Sequence, residues 1–142
     1  MAVQSDWQIV GRQRFLVSGD LLWWEVCGDI EVPEISAIFS TALTVQAAHG
    51  YTLMLITAVG DWSFPPPARR FLGQFHRQHQ AVGASAIVGA SPTMTLFIDM
   101  VLRAVGMVSG HRPKTRFFLT LQEARAWLEE QRALGQRGLL ER

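Results

Sequence analysis

The clearest hydrophobic pattern along the chain is a nearly unbroken apolar run from Tyr51 to Val59, which ends in Gly60. A run of this length without polar alternation is typical of a strand that is buried on both faces in the middle of a sheet. A loop at residues 61–67 and an amphipathic basic helix at residues 68–80 follow it. Sites in open α/β sheets gather beyond the carboxyl ends of the strands. We therefore expect the working surface of the protein at this loop.

The other segments alternate between strand and helix patterns. Two β-rich runs flank the turn Ser18-Gly19-Asp20 and predict a β-hairpin. In its second arm, Leu21 and Trp23 are expected on one face of the strand and their sequence neighbours on the other. Apolar residues spaced three and four apart predict helices, and Gly50 and Gly106 are expected to end the first and third of them. Ser91 is expected to cap the start of the third helix, and Thr120 is expected to cap the fourth by accepting from the Glu123 amide. The predicted helices cover residues 33–49, 68–80, 92–105 and 121–133, and the strands between them cover 51–58, 85–89 and 115–119.

The predicted order is β-β-α-β-α-β-α-β-α, which indicates the α/β class. Strands that alternate with helices favour a mixed, mostly parallel sheet of about 4–5 strands with helices packed against it, and the hairpin adds an antiparallel pair. A chain of 142 residues fits a single domain. We expect that domain at residues 13–133, with an N-terminal tail or edge element at 1–12 and a C-terminal tail at 134–142.

Composition narrows the class of partner and the compartment. The net charge of +1 argues against nucleic acid as a partner. The single cysteine, Cys27, cannot form an internal disulfide, which fits a reducing, cytoplasmic compartment. The first residues lack a signal-peptide pattern, and no apolar run approaches the ~20 residues that span a bilayer, so we expect no transmembrane segment.

Residues capable of catalysis or metal binding do not form a complete motif. His76 and His79 lie three positions apart and, with Asp61 or His49, would supply metal ligands, but the HExxH pattern is absent. Cys27 lacks the turn or helix start that would activate a thiol nucleophile. We therefore expect no enzyme activity, no metal site and no cofactor.

Three stretches together suggest a family. The segment Arg116–Leu128 is a phenylalanine-containing strand that leads through a capped turn into a helix with Trp127-Leu128. The strand Ser85–Gly89 precedes it, and Gly28-Asp29-Ile30 follows the hairpin. These features resemble the SpoIIAA-like branch of the STAS superfamily, relatives of bacterial anti-sigma-factor antagonists, over residues 13–130. The resemblance implies a STAS-like domain with a role in bacterial signalling.

The resemblance also marks one serine. In the antagonist proteins a partner kinase phosphorylates a serine at the start of the helix after the central strand, usually within Asp-Ser-Ser-Gly. The matching place here is Gly60-Asp61-Trp62-Ser63-Phe64-Pro65, in which the Ser-Gly pair is absent. Ser63 is therefore the candidate phosphoacceptor that the resemblance implies. The alternative is an ordinary loop serine that bonds the backbone.

These observations predict a non-enzymatic interaction module that acts in signalling or assembly and binds another protein or a second copy of itself as a homodimer. Its docking surface would consist of the loop at residues 61–67, the second helix and the start of the third helix. Exposure of the aromatic side chains in the loop beside the arginines would support this prediction, and their burial would weaken it. A second interpretation is a carrier or sensor of a small apolar or lipid-like ligand, which requires a pocket of ~300 Å³ or more. The expected partner-binding residues are Asp61, Trp62, Ser63, Phe64, Arg69, Arg70 and Arg77.

Overall fold

The computed structural model describes residues 6–140, which form six strands and four helices. The strands are β1 (Gln8–Val10), β2 (Gln13–Ser18), β3 (Leu21–Asp29), β4 (Thr52–Ser63), β5 (Gly83–Val88) and β6 (Thr115–Phe118). The helices are α1 (Val32–His49), α2 (Pro66–Gln78), α3 (Pro92–Ser109) and α4 (Leu121–Gln136).

All six strands form one sheet in which chain neighbours are also spatial neighbours, in the order β1-β2-β3-β4-β5-β6. The first three strands run antiparallel, and β3 to β6 run parallel. The prediction of an α/β protein with a mixed, mostly parallel sheet is confirmed. The hairpin is also confirmed, and Gly19 takes a positive φ of 60° in its turn.

The predicted count of about four or five strands is too low because β1 adds a sixth. This strand is only three residues long, so it carries no alternation that a pattern could detect. It exists because Gly11, with φ 59°, turns the chain back onto β2. A side chain at this position would collide with the carboxylate of Glu34, which accepts a hydrogen bond from the Arg12 amide at 2.7 Å.

The two faces of the sheet are covered by different numbers of helices. On what we call the three-helix face, strand residues pack against α1, α2 and α3, whereas on the single-helix face they pack against α4. The hairpin alternation agrees with the prediction. The core of the three-helix face includes Leu22, Trp24, Val26, Met54, Ile56, Ile35, Ile38, Ala68, Ile98 and Leu102. The core of the single-helix face includes Leu53, Leu55, Ala84, Ala86, Ala124, Trp127, Leu128 and Leu140, with Leu21 and Trp23 partly buried beside it.

A polar cluster ties α4 to the sheet on the single-helix face. Arg132 donates two hydrogen bonds to Asp20, from Nε at 2.8 Å and from Nη2 at 2.9 Å. The hydroxyl of Tyr51 donates to the same carboxylate at 2.5 Å. Burial alone would raise the pKa of Asp20, but the hydrogen bonds from Arg132 and Tyr51 outweigh it and lower that pKa. Burial and the bond to Asp20 raise the pKa of Tyr51 to about 12, so the phenol stays neutral.

Helix α3 is longer than predicted. It passes through Gly106 and ends at Ser109, and Gly110 takes the left-handed conformation with φ 78°. The glycine at 106 serves a different purpose, because an added Cβ would lie 3.2 Å from the Cβ of Arg112 in the loop that folds back over the helix. The prediction that Gly106 ends the helix is therefore wrong.

Strand β4 and helix α2 also extend into the segment predicted as a loop. After a register shift between Val26 and Gly28, β4 pairs with β3 again through Trp62 and Ser63. Helix α2 begins at Pro66, so only Phe64 and Pro65 connect the two elements. The predicted loop at residues 61–67 is therefore much shorter in the structure. At the other end of the chain, α4 continues to Gln136 into the segment predicted as a tail.

Candidate functional site

The aromatic residues predicted to contact a partner point towards the interior. Trp62 and Phe64 are half-buried and pack against the core of the three-helix face. Both also line an internal cavity of about 130 Å³ between the sheet and the three helices. Asp61, just before them, is exposed. This arrangement weakens the prediction that Trp62 and Phe64 form a docking surface.

Ser63 lies at the end of β4, where its hydroxyl donates a hydrogen bond of 2.5 Å to Asp29. Its carbonyl oxygen accepts from the Ile30 amide at 3.1 Å. A phosphate on this hydroxyl would lie beside the Asp29 carboxylate and be repelled by it. The start of α2 offers few donors in compensation, because Pro66 and Pro67 have no N–H group. The phosphoacceptor role of Ser63 stays a prediction, and the local geometry does not favour it.

The three predicted arginines lie together at a different place, a groove between α2 and α3. We call it the α2–α3 groove; its volume is about 520 Å³. One wall is polar and basic and belongs to α2, whereas the other is apolar and belongs to α3. The lining residues are Arg69, Arg70, Gly73, Gln74 and Arg77 from α2, and Phe97, Met100, Val101, Ala104, Val105 and Val108 from α3.

Helix α3 exposes large apolar side chains on the side that faces away from the core. Leu96 is 69% exposed, Met100 67%, Met107 87% and Val108 55%. The helix is apolar on its buried side as well, where Ile98 and its neighbours contact the core. Exposed apolar side chains that cluster in this way mark interaction sites in soluble proteins.

The apolar character of α3 bears on the predicted absence of a transmembrane segment. Within residues 6–140, this is the one helix whose length and composition would allow it to cross a membrane, and 22% of it is buried. Core helices of soluble proteins meet the same criteria of length and composition. The absence of a transmembrane segment therefore stays a prediction. The exposed apolar side chains of α3 require an explanation of their own.

The charge along the groove has one sign. Helix α2 contains three arginines and no acidic residue. On α3 the only acidic residue is Asp99, which forms ion pairs with Arg103 and Arg112, and a hydrogen bond from Arg112 is the main cause of its lowered pKa. Arg70 and Arg77 have no acidic partner in the described part of the chain. The groove is therefore apolar on one side and positively charged on the other.

One arginine of the groove is held in place by an aromatic ring. The guanidinium of Arg69 lies 5.3 Å from the ring centroid of Phe97 on α3. A cation placed over a ring in this way is attracted to its π-face by about 0.5–1 kcal/mol at exposed sites. This contact fixes the spacing of the two walls at one end of the groove.

The candidate metal and nucleophile residues are placed separately. His76 faces the core with Nδ1 3.0 Å from the Leu72 carbonyl oxygen, and burial lowers its pKa. His79 packs against the Phe75 ring with 4.7 Å between centroids. Between residues 6 and 140, no three His, Cys, Asp or Glu side chains are grouped so that they could hold a metal ion. Cys27 is half-buried, and Gln13 binds its backbone N–H and carbonyl oxygen.

The internal cavity is smaller than the predicted carrier function requires. Its volume of about 130 Å³ lies below the ~300 Å³ at which pockets for drug-sized ligands begin. Its lining is mostly apolar, so it would suit a ligand of only a few atoms without movement of the helices.

Searches against protein-family models, curated proteins and solved structures find no match to this chain. The STAS-like resemblance therefore depends on the sequence features alone and stays a prediction. The signalling role that the resemblance implies, and the cytoplasmic location suggested by the single cysteine, also stay predictions.

The exposed residues of α3 are not among the predicted partner-binding residues, although the predicted docking surface included the start of this helix and the sequence contained a signal for them. Leu96, Met100 and Met107 have spacings of four and seven, on the opposite side of the helix from Ile98 and Leu102. A helix that is apolar on two opposite sides must be covered on both sides or must leave one side exposed. The second apolar side of α3 therefore indicated that this helix leaves an apolar surface exposed or covers it with a partner.

Proposed function

We propose that this chain is a non-enzymatic protein-interaction module of STAS-like type, which acts in bacterial signalling or assembly through the α2–α3 groove. The observation that carries the proposal is the exposure of Met100 and Val108, the two large apolar side chains of α3 that line the groove and remain open to solvent. Fully burying one such side chain releases about 1.5–3 kcal/mol, so a partner that covers these residues gains a substantial binding energy. This surface replaces the aromatic residues 62 and 64 of the sequence-based prediction and keeps its three arginines.

The proposal is tested by placing a photo-crosslinking amino acid at position 100 in the protein expressed in its own host. A matched control carries the same amino acid at Glu130, an exposed position on α4. We expect a discrete crosslinked product from position 100, none from position 130, and loss of the product when Val108, which also lines the groove, is replaced by glutamate. A product with twice the mass of the chain would identify the partner as a second copy. Equal products from both positions, or none from position 100, would contradict the proposal.

A carrier of a small apolar ligand remains the second candidate, because the internal cavity lies directly under α1 and α2. Helix α3 packs chiefly against α2, and its contacts with the core of the sheet come from Ile98 and Leu102, with Met94 and Phe97 partly buried beside them. Outward movement of α2 and α3 together would enlarge the cavity. Native mass spectrometry of protein purified from its own host tests this candidate, since a retained apolar molecule that is released on denaturation would support it.

A further inference from the structure

We infer that the α2–α3 groove binds an acidic amphipathic helix of a partner protein. The inference rests on the proposed function and specifies the chemistry of the partner. The ligand would place apolar side chains against the α3 wall and carboxylates against the α2 wall. Amphipathic helices bind to apolar grooves through anchors spaced three and four residues apart, which makes a helix a suitable occupant.

The charge of the α2 wall selects an acidic ligand. Arg70 and Arg77 are exposed, lie seven positions apart on one helix, and have no acidic partner among residues 6–140. Both arginines line the groove, whereas Asp99, the acidic residue of α3, is not part of its lining and is paired with other arginines. Carboxylates spaced two turns apart on a bound helix would pair with these two guanidinium groups.

The floor of the groove is open in a way that the fold itself does not require. Gly73 lies in the middle of α2, where glycine costs about 1 kcal/mol relative to alanine. Its φ is not positive, and a Cβ added there would meet nothing within 4 Å. Ala104 on α3 is another small residue that lines the groove. A bound helix gains from glycine at this position, because the missing side chain lets it approach α2 closely.

The length of the apolar wall matches a short helix. Phe97 and Val108 at its ends are eleven positions apart, which corresponds to about 16 Å along α3. A ligand helix of about three turns would cover this length. Met100 and Val108 protrude from the wall and would fit between anchors of the ligand.

Charge and shape favour this occupant over a second copy and over a membrane. A symmetric contact between two copies would bring the arginines of both into one interface, where the groove lining offers no carboxylate to pair with them. A membrane surface would contact the protruding residues of α3 but would leave the concave groove and the open space at Gly73 unfilled. Only a narrow, acidic and partly apolar ligand would pair with the arginines, fill the concave groove and occupy the open space at Gly73.

The inference can be tested with a displayed library of helical peptides of about 15 residues, with fixed apolar positions and randomised flanking positions. Selection is done on the full-length protein and on the double variant Arg70→Glu/Arg77→Glu. We expect Asp and Glu to be enriched on the wild-type protein and Lys and Arg on the variant. Fluorescence anisotropy should show that the best acidic peptide binds the variant at least about tenfold more weakly.

Substitutions at the floor of the groove provide a second, independent measurement. Gly73→Leu places a side chain in the groove at a position where an added Cβ meets nothing within 4 Å, and it should abolish peptide binding. Gly73→Ala adds only that Cβ, so it should not lower the free energy of unfolding. Ala126→Leu at an exposed position of α4 is the matched control and should leave binding unchanged. Binding that survives Gly73→Leu would overturn the inference.

The remaining outcomes distinguish this inference from the proposed function. Peptides selected without charge preference would overturn the acidic partner, as would a dimer that Met100→Glu dissociates. Sedimentation with vesicles of anionic phospholipid, in the absence of any selected acidic helix, would overturn it in favour of a membrane. In each case a crosslink from position 100 in the host would still support an interaction surface at α3, and absence of that crosslink would reject the proposed function as well.

Discussion

The two faces of the sheet differ in how completely the large apolar side chains of their helices are buried. On the single-helix face, α4 buries Trp127 and Leu128 and is tied to the sheet through Arg132. On the three-helix face, α3 leaves large apolar side chains such as Met107 exposed. The face with more helices is thus the one whose outer helix leaves more of its large apolar side chains exposed. The difference teaches that burial of a helix's apolar side chains depends on which surface the helix contacts, because α3 packs chiefly against α2 rather than against the strands.

The sheet topology explains this difference. Successive parallel strands from β3 to β6 are added in one direction, and right-handed connections then place α1, α2 and α3 on the same face. Only after β6 does the chain cross to the other face, where α4 alone covers the sheet. The single-helix face therefore serves stability, and the three-helix face has a helix side available for binding.

The largest expected effect comes from removing a buried ring on the single-helix face. Trp127→Ala leaves a large cavity against the sheet and should lower the free energy of unfolding by about 3–5 kcal/mol. Met107→Ala on α3 is the matched control and should change it by less than about 0.5 kcal/mol, because its side chain is exposed. Urea denaturation followed by tryptophan fluorescence, with circular dichroism as a second probe, measures both values. Similar losses for the two variants would contradict the comparison between the faces.

A smaller effect is expected when the connection between α4 and the hairpin is cut. Arg132→Met leaves the Asp20 carboxylate shielded from water without its main partner, and the free energy of unfolding should fall by about 2 kcal/mol. The loss should depend on pH. Because the folded pKa of Asp20 is lowered, its contribution is complete above the unfolded pKa of about 3.9 and disappears as the pH falls through the folded pKa.

Urea titrations at a series of acidic pH values provide the test. The wild-type protein should lose stability faster than Arg132→Met as the pH falls below about 3.9, so that the two curves converge. Lys114→Met, which removes an exposed cation that forms no ion pair with any of residues 6–140, is a control for the change in net charge. A difference between wild type and Arg132→Met that stays constant with pH would show that Asp20 is not the group concerned.

The smallest effect concerns the three-helix face near neutral pH. Burial lowers the pKa of His76 below its unfolded value of about 6.5, with a smaller contribution from the nearby His111. The unfolded state then binds more protons, so stability should fall as the pH drops below about 6.5 and should level off below the folded pKa. His76→Leu should reduce this slope. His79→Leu at an exposed neighbouring position is the control, and an unchanged slope in His76→Leu would contradict the assignment.

Local signals predicted most of the fold correctly. Gly50 ends α1 with φ 87°, and Ser91 caps α3 by accepting a hydrogen bond from the Met94 amide at 3.1 Å. Thr120 accepts from the Glu123 amide at 3.2 Å, as the capping motif predicts. Such signals are reliable because the interacting atoms lie within a few residues of one another. Gly106 was misinterpreted because glycine at this position makes room for the loop that follows the helix and packs against it, and does not end the helix.

The candidate site was predicted only in part, for a related reason. The basic side of α2 was visible in the sequence, and the structure brings Arg69, Arg70 and Arg77 to one groove. The inward positions of Trp62 and Phe64 depend on the renewed pairing of β4 with β3 after a register shift, which no local pattern encodes. The apolar wall of α3 also depends on tertiary packing, because only the structure determines which of its two apolar sides is covered.

The position of α4 after all six strands has a consequence for synthesis on the ribosome. Residues 52–118 of β4 to β6 can pair and recruit α1 to α3 as they emerge, but the opposite surface of the sheet has no cover until residues 121–136 are translated. During that interval Leu53, Leu55 and Trp23 on the nascent chain would be open to chaperones or to neighbouring chains. Productive folding of this protein should therefore depend on how quickly its last helix leaves the exit tunnel.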